Sequence, residues 1–457
     1  MRLTRRTLLE RAAAGALAGP GLYELVDRLG RTPARAGTAR LRPEQHVLDL
    51  GLVRSEGVDV VVPPLHHEVV TANLRGANLR QARRELEDAL RELDTRYEPS
   101  AAGLGVTVAW GLPYFDAYVP RQAARHLPAD TRAGKPALLE ARTFPSDPEN
   151  TILEDNDVAV LLRSDRLAHI EDARKTLFDE LALFRVTSIR RGFAGGGFHG
   201  GRSLPKRMAL AAGIPGAELI PDTAELFLGF TSTQRAALGP PLIANHETLG
   251  FVDLRGSGYF RNGTHMHLSH VAEDLQAWYL GFDFHERVTT VFRPDLRVRG
   301  GVQTVRQGPR DASSERDVFG HFDSSGRIGH TSAMQPVSRL QRDHVGPDGT
   351  VYRKGTAVPQ RADFNTLDNP FAWTAARDRD RWSAEPAAGL HFVVFNPSSD
   401  DFHRVRLAMD GIFSDTRWLP LAPRARNQGF NAVLRTTHRQ NFLVPPRRHR
   451  SFPLAEL

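Results

Sequence analysis

Cysteine is absent from the 457-residue chain. Its absence excludes disulfides, thiolate metal sites, iron–sulfur clusters and a cysteine nucleophile. Histidine, aspartate, glutamate and tyrosine are therefore the side chains available to hold a metal or a cofactor. Lysine is scarce too, at positions 135, 175, 206 and 354, so arginine supplies almost all of the 60 basic residues that stand against 53 acidic ones.

Long runs of one charge and basic stripes interleaved with aromatics are also missing. The arginines are scattered among acids, and this patterning argues against nucleic acid as a partner. With 40% hydrophobic residues the chain can bury at least one sizeable core. It is a globular protein whose length corresponds to two or three domains.

The N-terminal region lacks an apolar run of the roughly 18 residues that a membrane span needs. Arg5 and Arg6 stand before Leu8 and Leu9, an Ala/Gly stretch follows, and "ARA" offers small residues at 34–36. This pattern is typical of a twin-arginine export signal. We therefore expect residues 1–36 to be a signal peptide, the twin-arginine translocase to be a partner, and the protein to reach the periplasm, the cell envelope or the extracellular space.

The next part of the chain alternates strand-like and helix-like segments. Apolar residues at three- and four-residue spacing predict a helix over "LRQARRELEDALREL", and the following one is "HIEDARKTLFDELALF". Strands are predicted at 46–53, 104–111, 157–165 and 186–193. The order β-α-β-β-α-β is that of a ferredoxin-like, or split βαβ, unit. A proline- and charge-rich insertion, roughly 119–155, interrupts it.

The second half repeats this order less cleanly. Strands are predicted at 263–271, 350–358 and 389–397, and helices over "AEDLQAWYLG" and "DDFHRVRLAMDG". The expected organisation is an N-terminal half at 46–191, a glycine-rich link that opens a C-terminal half at 192–420, and a basic tail at 421–457. Two such α+β halves can lie face to face and leave a cavity between a sheet and its helices.

Seven blocks in this order resemble the dye-decolorizing (DyP-type) peroxidases, over approximately 46–415. The blocks are "GLGVTVAWGLPYFD", "DVAVLLRSD", "ELFLGFTSTQ", "NGTHMHLSHVAEDLQAW", "GHTSAMQP", "VYRKG" and "GLHFVVFNPSSDDF". The resemblance implies an α+β fold in which two ferredoxin-like halves form a dimeric α+β barrel of the DyP and chlorite dismutase type. It also implies heme b (iron protoporphyrin IX) in the C-terminal half.

The resemblance gives His330 the role of proximal heme ligand and iron ligand. A neutral imidazole donates electron density and leaves the opposite face of the iron open to peroxide. Arg353, twenty-three residues on, matches the arginine that stabilises charge on the departing oxygen.

The carboxylate that shuttles a proton between the peroxide oxygens in such proteins has no clear counterpart. The matching block puts Ser232 where the aspartate should be, and a second stretch offers Asp253. Because a hydroxyl is a poor base near neutral pH, Ser232 would leave peroxide activation to Arg353 and solvent. Arg202, Arg339 and His199 are further candidates, as partners of the heme propionates.

His265 and His267 share one face of a predicted strand, with His270 on the other. Such a pair can bind a transition metal, but it more often fills a half-buried strand, and no third ligand stands at a fixed local spacing.

Three classes of function stay open. The first is an exported heme peroxidase that oxidises small aromatic or phenolic donors with hydrogen peroxide. The second is a heme- or porphyrin-binding protein on the same fold with weakened catalysis, and the third is a non-heme member of the fold. A homo-oligomer is compatible with each of them.

Overall fold

The computed structural model describes residues 21–30, 40–55, 58–76, 78–130, 133–194, 203–222, 224–229, 258–296, 313–345, 351–355, 357–368, 385–421 and 428–457. In these ranges no helix has both the length and the apolar character needed to cross a membrane.

The N-terminal half is a ferredoxin-like unit. Strands β9, β3, β8 and β4 lie side by side in that order, and all three pairings are antiparallel. The elements are α1 (Gly21–Leu29), β1 (Leu52–Ser55), β2 (Val58–Val61), β3 (His66–Leu74), α2 (Leu79–Arg96), β4 (Gly105–Gly111), α3 (Leu112–Tyr118), α4 (Pro120–His126), β5 (Ala129–Asp130), β6 (Lys135–Pro136), β7 (Ile152–Leu153), β8 (Val158–Ser164), α5 (Leu167–Arg174) and β9 (Phe184–Phe193). The chain order β3-α2-β4-β8-α5-β9 is the split βαβ arrangement.

The C-terminal half repeats the unit, with its strands in the order β14, β15, β10, β18. Its elements are α6 (Leu204–Ala211), β10 (Thr264–Glu273), α7 (Leu275–Gly281), α8 (Phe284–Val291), α9 (Glu315–Ser325), α10 (His330–Ser338), β11 (His344–Val345), β12 (Val351–Tyr352), β13 (Gln360–Arg361), β14 (Phe364–Thr366), β15 (Gly389–Asn396), α11 (Ser399–Met409), β16 (Ile412–Ser414), β17 (Arg417–Trp418) and β18 (Leu434–Val444).

The two sheets join at both edges and close a barrel. At one seam Leu443 of β18 pairs with Trp110 of β4, and at the other Asn365 of β14 pairs with Phe193 of β9. Because both edges are paired, neither half leaves a sheet edge of this ring open. The expected fold class, α+β with two ferredoxin-like halves forming a barrel, is confirmed.

Apolar side chains fill the barrel and also cover its outer faces. The interior cluster consists of Val69, Ala109, Ala159, Leu161, Ala194, Met266, Leu268, Phe364, Val393, Phe395, Phe442 and Val444. Strands β4 and β8 are buried along their whole length, because α2 covers the opposite face of the sheet. Helix α2 buries Leu86, Leu90 and Leu93 as its spacing predicts, and the Asn78 side chain caps it.

The first strand of the N-terminal unit is not the one expected from the sequence. The expected strand at 46–53 is not the barrel strand, which is instead β3 at His66–Leu74. Its start, "HHE", places His66, His67 and Glu68 at buried positions, so no alternation of apolar and polar residues marks it.

The expected C-terminal tail is part of the body. Strand β18 supplies one of the central barrel strands, and the residues after it pack on the N-terminal half. Trp110 Nε1 donates to the Arg450 carbonyl at 2.9 Å, and Tyr114 donates to the Pro453 carbonyl at 2.9 Å. Phe452 is fully buried in the N-terminal core.

Helix α1 also packs on the body, although it lies within the predicted signal peptide 1–36. Tyr23 and Val26 are buried, and the Tyr23 hydroxyl donates to the Arg191 carbonyl at 3.1 Å. Asp27 Oδ1 lies 2.6 Å from Nε2 of His66. Arg5 and Arg6 lie outside the described residues.

Candidate functional site

A cavity of about 430 Å³ lies between the C-terminal sheet and the helices α10 and α11. This volume is in the range of small-molecule and cofactor sites. Its floor is one face of the sheet: Ser269 pairs with Phe392 and Val271 with Leu390, and all four side chains line the cavity. Residues two apart on a strand share a face, so β10 and β15 both contribute alternate side chains.

His330 is the first residue of α10 and lines this cavity. Gly329, the residue before the helix, lies so close to the Phe292 carbonyl that a Cβ would be 2.3 Å from that oxygen, so a side chain does not fit there. The imidazole packs against the Phe430 ring, with centroids 4.3 Å apart. Burial, together with the positive charges of Arg361 and Arg406, lowers the pKa of His330 to about 3. The ring is therefore neutral at physiological pH.

Arg361 brings a fixed positive charge to the same cavity. Its Nε lies 2.9 Å from Oδ1 of Asp363, and its Nη2 lies 2.6 Å from Oδ2. The Arg361 side chain is 39% exposed, and its partial burial lowers its pKa, but the neighbouring Asp363 and Glu225 outweigh that effect and raise it. A guanidinium held by two parallel hydrogen bonds has little freedom to turn.

Glu225 also lines the cavity and carries a shifted carboxyl. Burial raises the pKa of Glu225 well above its usual range, and Arg361 opposes this shift. The segment is held by Asn365, whose amide donates to the Glu225 carbonyl at 3.0 Å and whose Oδ1 accepts from the Phe227 backbone at 3.2 Å. Glu225 therefore combines a raised pKa with a nearby cation.

Two arginine–aspartate ion pairs form another part of the cavity wall. Arg439 Nη2 lies 2.7 Å from Asp147 Oδ1, and Arg406 Nη1 lies 3.0 Å from Asp410 Oδ1. The Arg439 guanidinium also lies 4.7 Å from the Phe144 ring centroid. Here two guanidinium groups meet two carboxylates, so this corner is close to electrically balanced.

Arg339, an expected propionate partner, does line the cavity with His330. Burial lowers the pKa of Arg339 to about 10, and its Nη1 donates to the Gly355 carbonyl at 3.3 Å. The residue follows α10 directly, so one helix positions both side chains.

Arg353 is not brought to His330, which corrects the expected arrangement. The predicted strand 350–358 is in fact the short strand β12 in a hairpin with β11, followed by a turn. Arg353 is 77% exposed there and forms a 2.7 Å ion pair with Asp343. Arg361, eight residues further on, does line the cavity, as do Arg339, Arg406 and Arg439.

Four expected site residues, Ser232, Asp253, His199 and Arg202, lie outside the described residues. Their roles stay predictions.

The strand histidines hold no metal cluster in the described part of the chain. His267 stacks on Phe402 with centroids 3.4 Å apart, and its Nδ1 lies 2.7 Å from Asn441 Oδ1. His270 lies on the opposite face, next to His391, as the two-residue period predicts. These contacts place His267 and His270 in a buried polar core.

Sequence reasoning missed Arg361, Glu225 and Asp147. Arg361 lies on a strand of two residues with no motif around it, and Asp147 lies in the segment treated as an insertion. Glu225 does stand inside the block "ELFLGFTSTQ" that carried the resemblance. The position of the Glu225 carboxylate inside that block was the one signal from which this residue could have been found.

A family model matches residues 64–446 of the chain, which is most of its length. The chain belongs to DUF7405. This family is described as one of unknown function, so membership fixes no activity. No curated protein matches the chain in sequence.

The DUF7405 chain is also similar to solved DyP-type peroxidases. The enzyme from Cellulomonas bogoriensis is 17% identical, with 91% of this chain and 95% of that chain covered and a TM-score of 0.48. A putative DyP-type peroxidase from Shewanella oneidensis is 14% identical, with 84% and 94% covered and a TM-score of 0.46. The encapsulated DyP-type peroxidase from Mycobacterium smegmatis is 11% identical, with 85% and 95% covered and a TM-score of 0.47. Likeness at this level assigns no chemistry to the DUF7405 chain.

Proposed function

We propose that this protein is an exported, heme-dependent peroxidase that oxidises small aromatic or phenolic donors with hydrogen peroxide. The observation that carries the proposal is the neutral, half-buried imidazole of His330 in a cavity that also holds the cation of Arg361. A metal ligand must be unprotonated, and the lowered pKa of His330 supplies that state over the whole physiological range.

The residues present fit a b-type heme. Nδ1 of His330 is buried and has no hydrogen-bond partner among the described residues. Arg339 supplies a guanidinium at the cavity wall that suits a propionate carboxylate. The walls between these groups are largely apolar, with Phe392, Phe402 and Met334 among them. Such a lining suits a flat, mostly apolar ring with two acidic arms.

The heme, when bound, supplies an iron that reacts with peroxide and passes oxidising power to a donor. His330 holds the group and keeps its own ring neutral. Arg361 presents a preorganised positive charge to oxygen atoms in the cavity. Burial raises the pKa of the Glu225 carboxyl and so favours its protonated form, which suits a group that gives and takes a proton in the cavity.

Absorption spectroscopy of heme-loaded protein tests the proposal. We expect a Soret band that shifts when stoichiometric peroxide is added, and loss of heme retention in His330→Ala. The matched control is His285→Ala, because His285 is an exposed histidine on α8. A His330→Ala protein that keeps its heme contradicts the ligand assignment.

A catalytically weakened heme-binding protein is the second candidate. It is favoured by the bidentate pairing of Arg361 with Asp363, which offsets the charge available to peroxide. A Soret band that ignores peroxide supports this candidate, and no band in a folded, heme-exposed protein supports a non-heme member of the fold.

Export rests on the twin-arginine pattern of the sequence. We expect residues 1–36 to carry a reporter across the membrane, and the double substitution Arg5→Lys and Arg6→Lys to stop it. Export of the doubly substituted fusion contradicts the twin-arginine route.

A further inference from the structure

Arg163 and His67 form a pair on neighbouring barrel strands. The antiparallel register of β3 and β8 sets His67 directly opposite Arg163, so both side chains leave the same face of the sheet. This face is the barrel interior, because Val69 and Leu161 of the interior cluster lie two residues away on the same strands. Both residues also line the cavity that contains His330.

Arg163 is a buried cation without a carboxylate. Its side chain is 5% exposed, and its Nη2 donates to the His46 carbonyl at 2.7 Å. Its Nε is buried and has no hydrogen-bond partner among the described residues. Burial lowers the pKa of Arg163 to about 10, and no described carboxylate counters this effect.

His67 supplies a second unpartnered donor or acceptor beside it. The residue is 2% exposed, and its Nδ1 has no hydrogen-bond partner in the described part of the chain. Its ring stacks on Phe364, with centroids 5.0 Å apart and planes at 22°. Burial, reinforced by the charge of Arg163, lowers the pKa of His67 well below its usual value, so the ring is neutral.

An isolated buried guanidinium is costly, since it has lost water and gained no opposite charge. Three other arginines of the cavity wall, Arg361, Arg406 and Arg439, each meet a carboxylate. Pro63 and Pro64 precede His67 in the chain and line the same cavity. The cavity therefore offers at Arg163 a cation that no described carboxylate offsets, together with apolar proline surface.

We propose that Arg163 and His67 bind the carboxylate of a small organic acid whose apolar body lies against Pro63 and Pro64. The carboxylate accepts hydrogen bonds from the guanidinium and, in one tautomer, from the imidazole N–H. Arg163 and His67 belong to the N-terminal half and His330 to the C-terminal half, but all three line one cavity, so the site is tested on protein without heme.

Thermal unfolding of the full-length protein, purified without added heme, tests the site. The probes are benzoate and benzyl alcohol at equal ionic strength, which share an aromatic ring but differ in the carboxylate. We expect benzoate to raise Tm by roughly 3 °C at a hundredfold its Kd. Benzyl alcohol leaves Tm unchanged, and this comparison needs no variant to fold.

The Arg163→Met variant should lose the benzoate effect. Without ligand it should be at least as stable as the wild type, because an uncompensated buried charge has been removed. The control is Arg84→Met, at an exposed position on α2, which should keep the full effect. A benzoate effect that survives in Arg163→Met overturns the proposal.

Two further results also overturn it. A shift of equal size from chloride or phosphate assigns the site to inorganic anions. No benzoate effect on the wild type, together with weakened heme retention in Arg163→Met, assigns the carboxylate to the porphyrin itself.

Discussion

Asp363 accepts two hydrogen bonds from Arg361, from Nε at 2.9 Å and from Nη2 at 2.6 Å. Arg353 also pairs with an aspartate, Asp343, but on an exposed hairpin. A preorganised cation in the cavity wall stabilises developing charge there without reorganising. The Arg361 side chain is 39% exposed against 77% for Arg353, so water and salt screen the charge of Arg353 more strongly. The two arginines thus share their chemistry and differ in whether they face the cavity.

Arg361→Leu should therefore slow the reaction of heme-loaded protein with peroxide by about 10²-fold. Combining it with Asp363→Asn avoids leaving an unpaired carboxylate in the wall. Arg353→Leu should change the rate less than twofold. Stopped-flow absorbance at the Soret band measures both rates. Equal slowing by the two substitutions would show that Arg353 reaches the site after all.

Glu273 should make the protein less stable as the pH rises, which is the opposite of the usual effect of a carboxyl group. It is buried in the cavity wall, and burial with the nearby charge of Asp363 raises its pKa to about 8. An unfolded glutamate titrates near 4.3. Between these values the native state keeps a proton that the unfolded state releases, so this group's contribution to stability falls as pH rises.

Glu273→Gln mimics the protonated side chain and removes this dependence. Its free energy of unfolding, relative to the wild type, should rise by about 1 kcal/mol per pH unit between pH 5 and pH 7. Urea denaturation at pH 5, 6 and 7 measures the difference. The exposed Glu24→Gln is the control. A constant difference across this range would mean that Glu273 is ionised in the folded protein.

Elements with one apolar and one polar face could be predicted from the sequence. Strands that bury polar residues on their faces could not. Helix α2 was located because its buried leucines recur at helical spacing opposite a charged face. Strands β3 and β18 were missed because the barrel buries polar residues along them. His67 and Arg439 are examples, and both are held by register partners distant in sequence.

The candidate site was predictable only where one residue carries the chemistry. His330 was found because it stands in the block "GHTSAMQP" that carries the resemblance. Arg361 and Arg163 could not be found, because their roles come from what surrounds them. Arg361 matters because it lines the cavity, and Arg163 because no described carboxylate offsets its charge. Neither property produces a recognisable pattern in the local sequence.

Phe452 tests whether the C-terminal segment is structural. Its ring is fully buried and packs on Trp110, with centroids 4.9 Å apart, and on Phe184. Phe452→Ala should lower the free energy of unfolding by about 3–5 kcal/mol. Chemical denaturation measures this loss, with the exposed Leu457→Ala as control. A change of less than about 1 kcal/mol would show that the segment does not pack on the N-terminal core.

Helix α1 tests where the folded body begins. Val26 is fully buried, and the Arg207 side chain donates to the Leu29 carbonyl, so the helix is anchored by side-chain packing and by hydrogen bonding. Val26→Asp should lower the free energy of unfolding by about 3 kcal/mol, because it buries an unpaired charge. Glu24→Ala, on the exposed side of the same helix, should change it by less than about 0.5 kcal/mol.

The same helix sets an expectation for the mature protein. A chain beginning at residue 37 should unfold at a lower temperature than one beginning at residue 21, because it lacks the apolar surface that Tyr23 and Val26 cover. Thermal unfolding of the two chains measures the difference. Equal Tm values would contradict the packing of helix α1 on the body. Mass spectrometry of the exported protein shows whether its N-terminus lies after residue 36 or before Gly21, and so whether the mature protein keeps this cover.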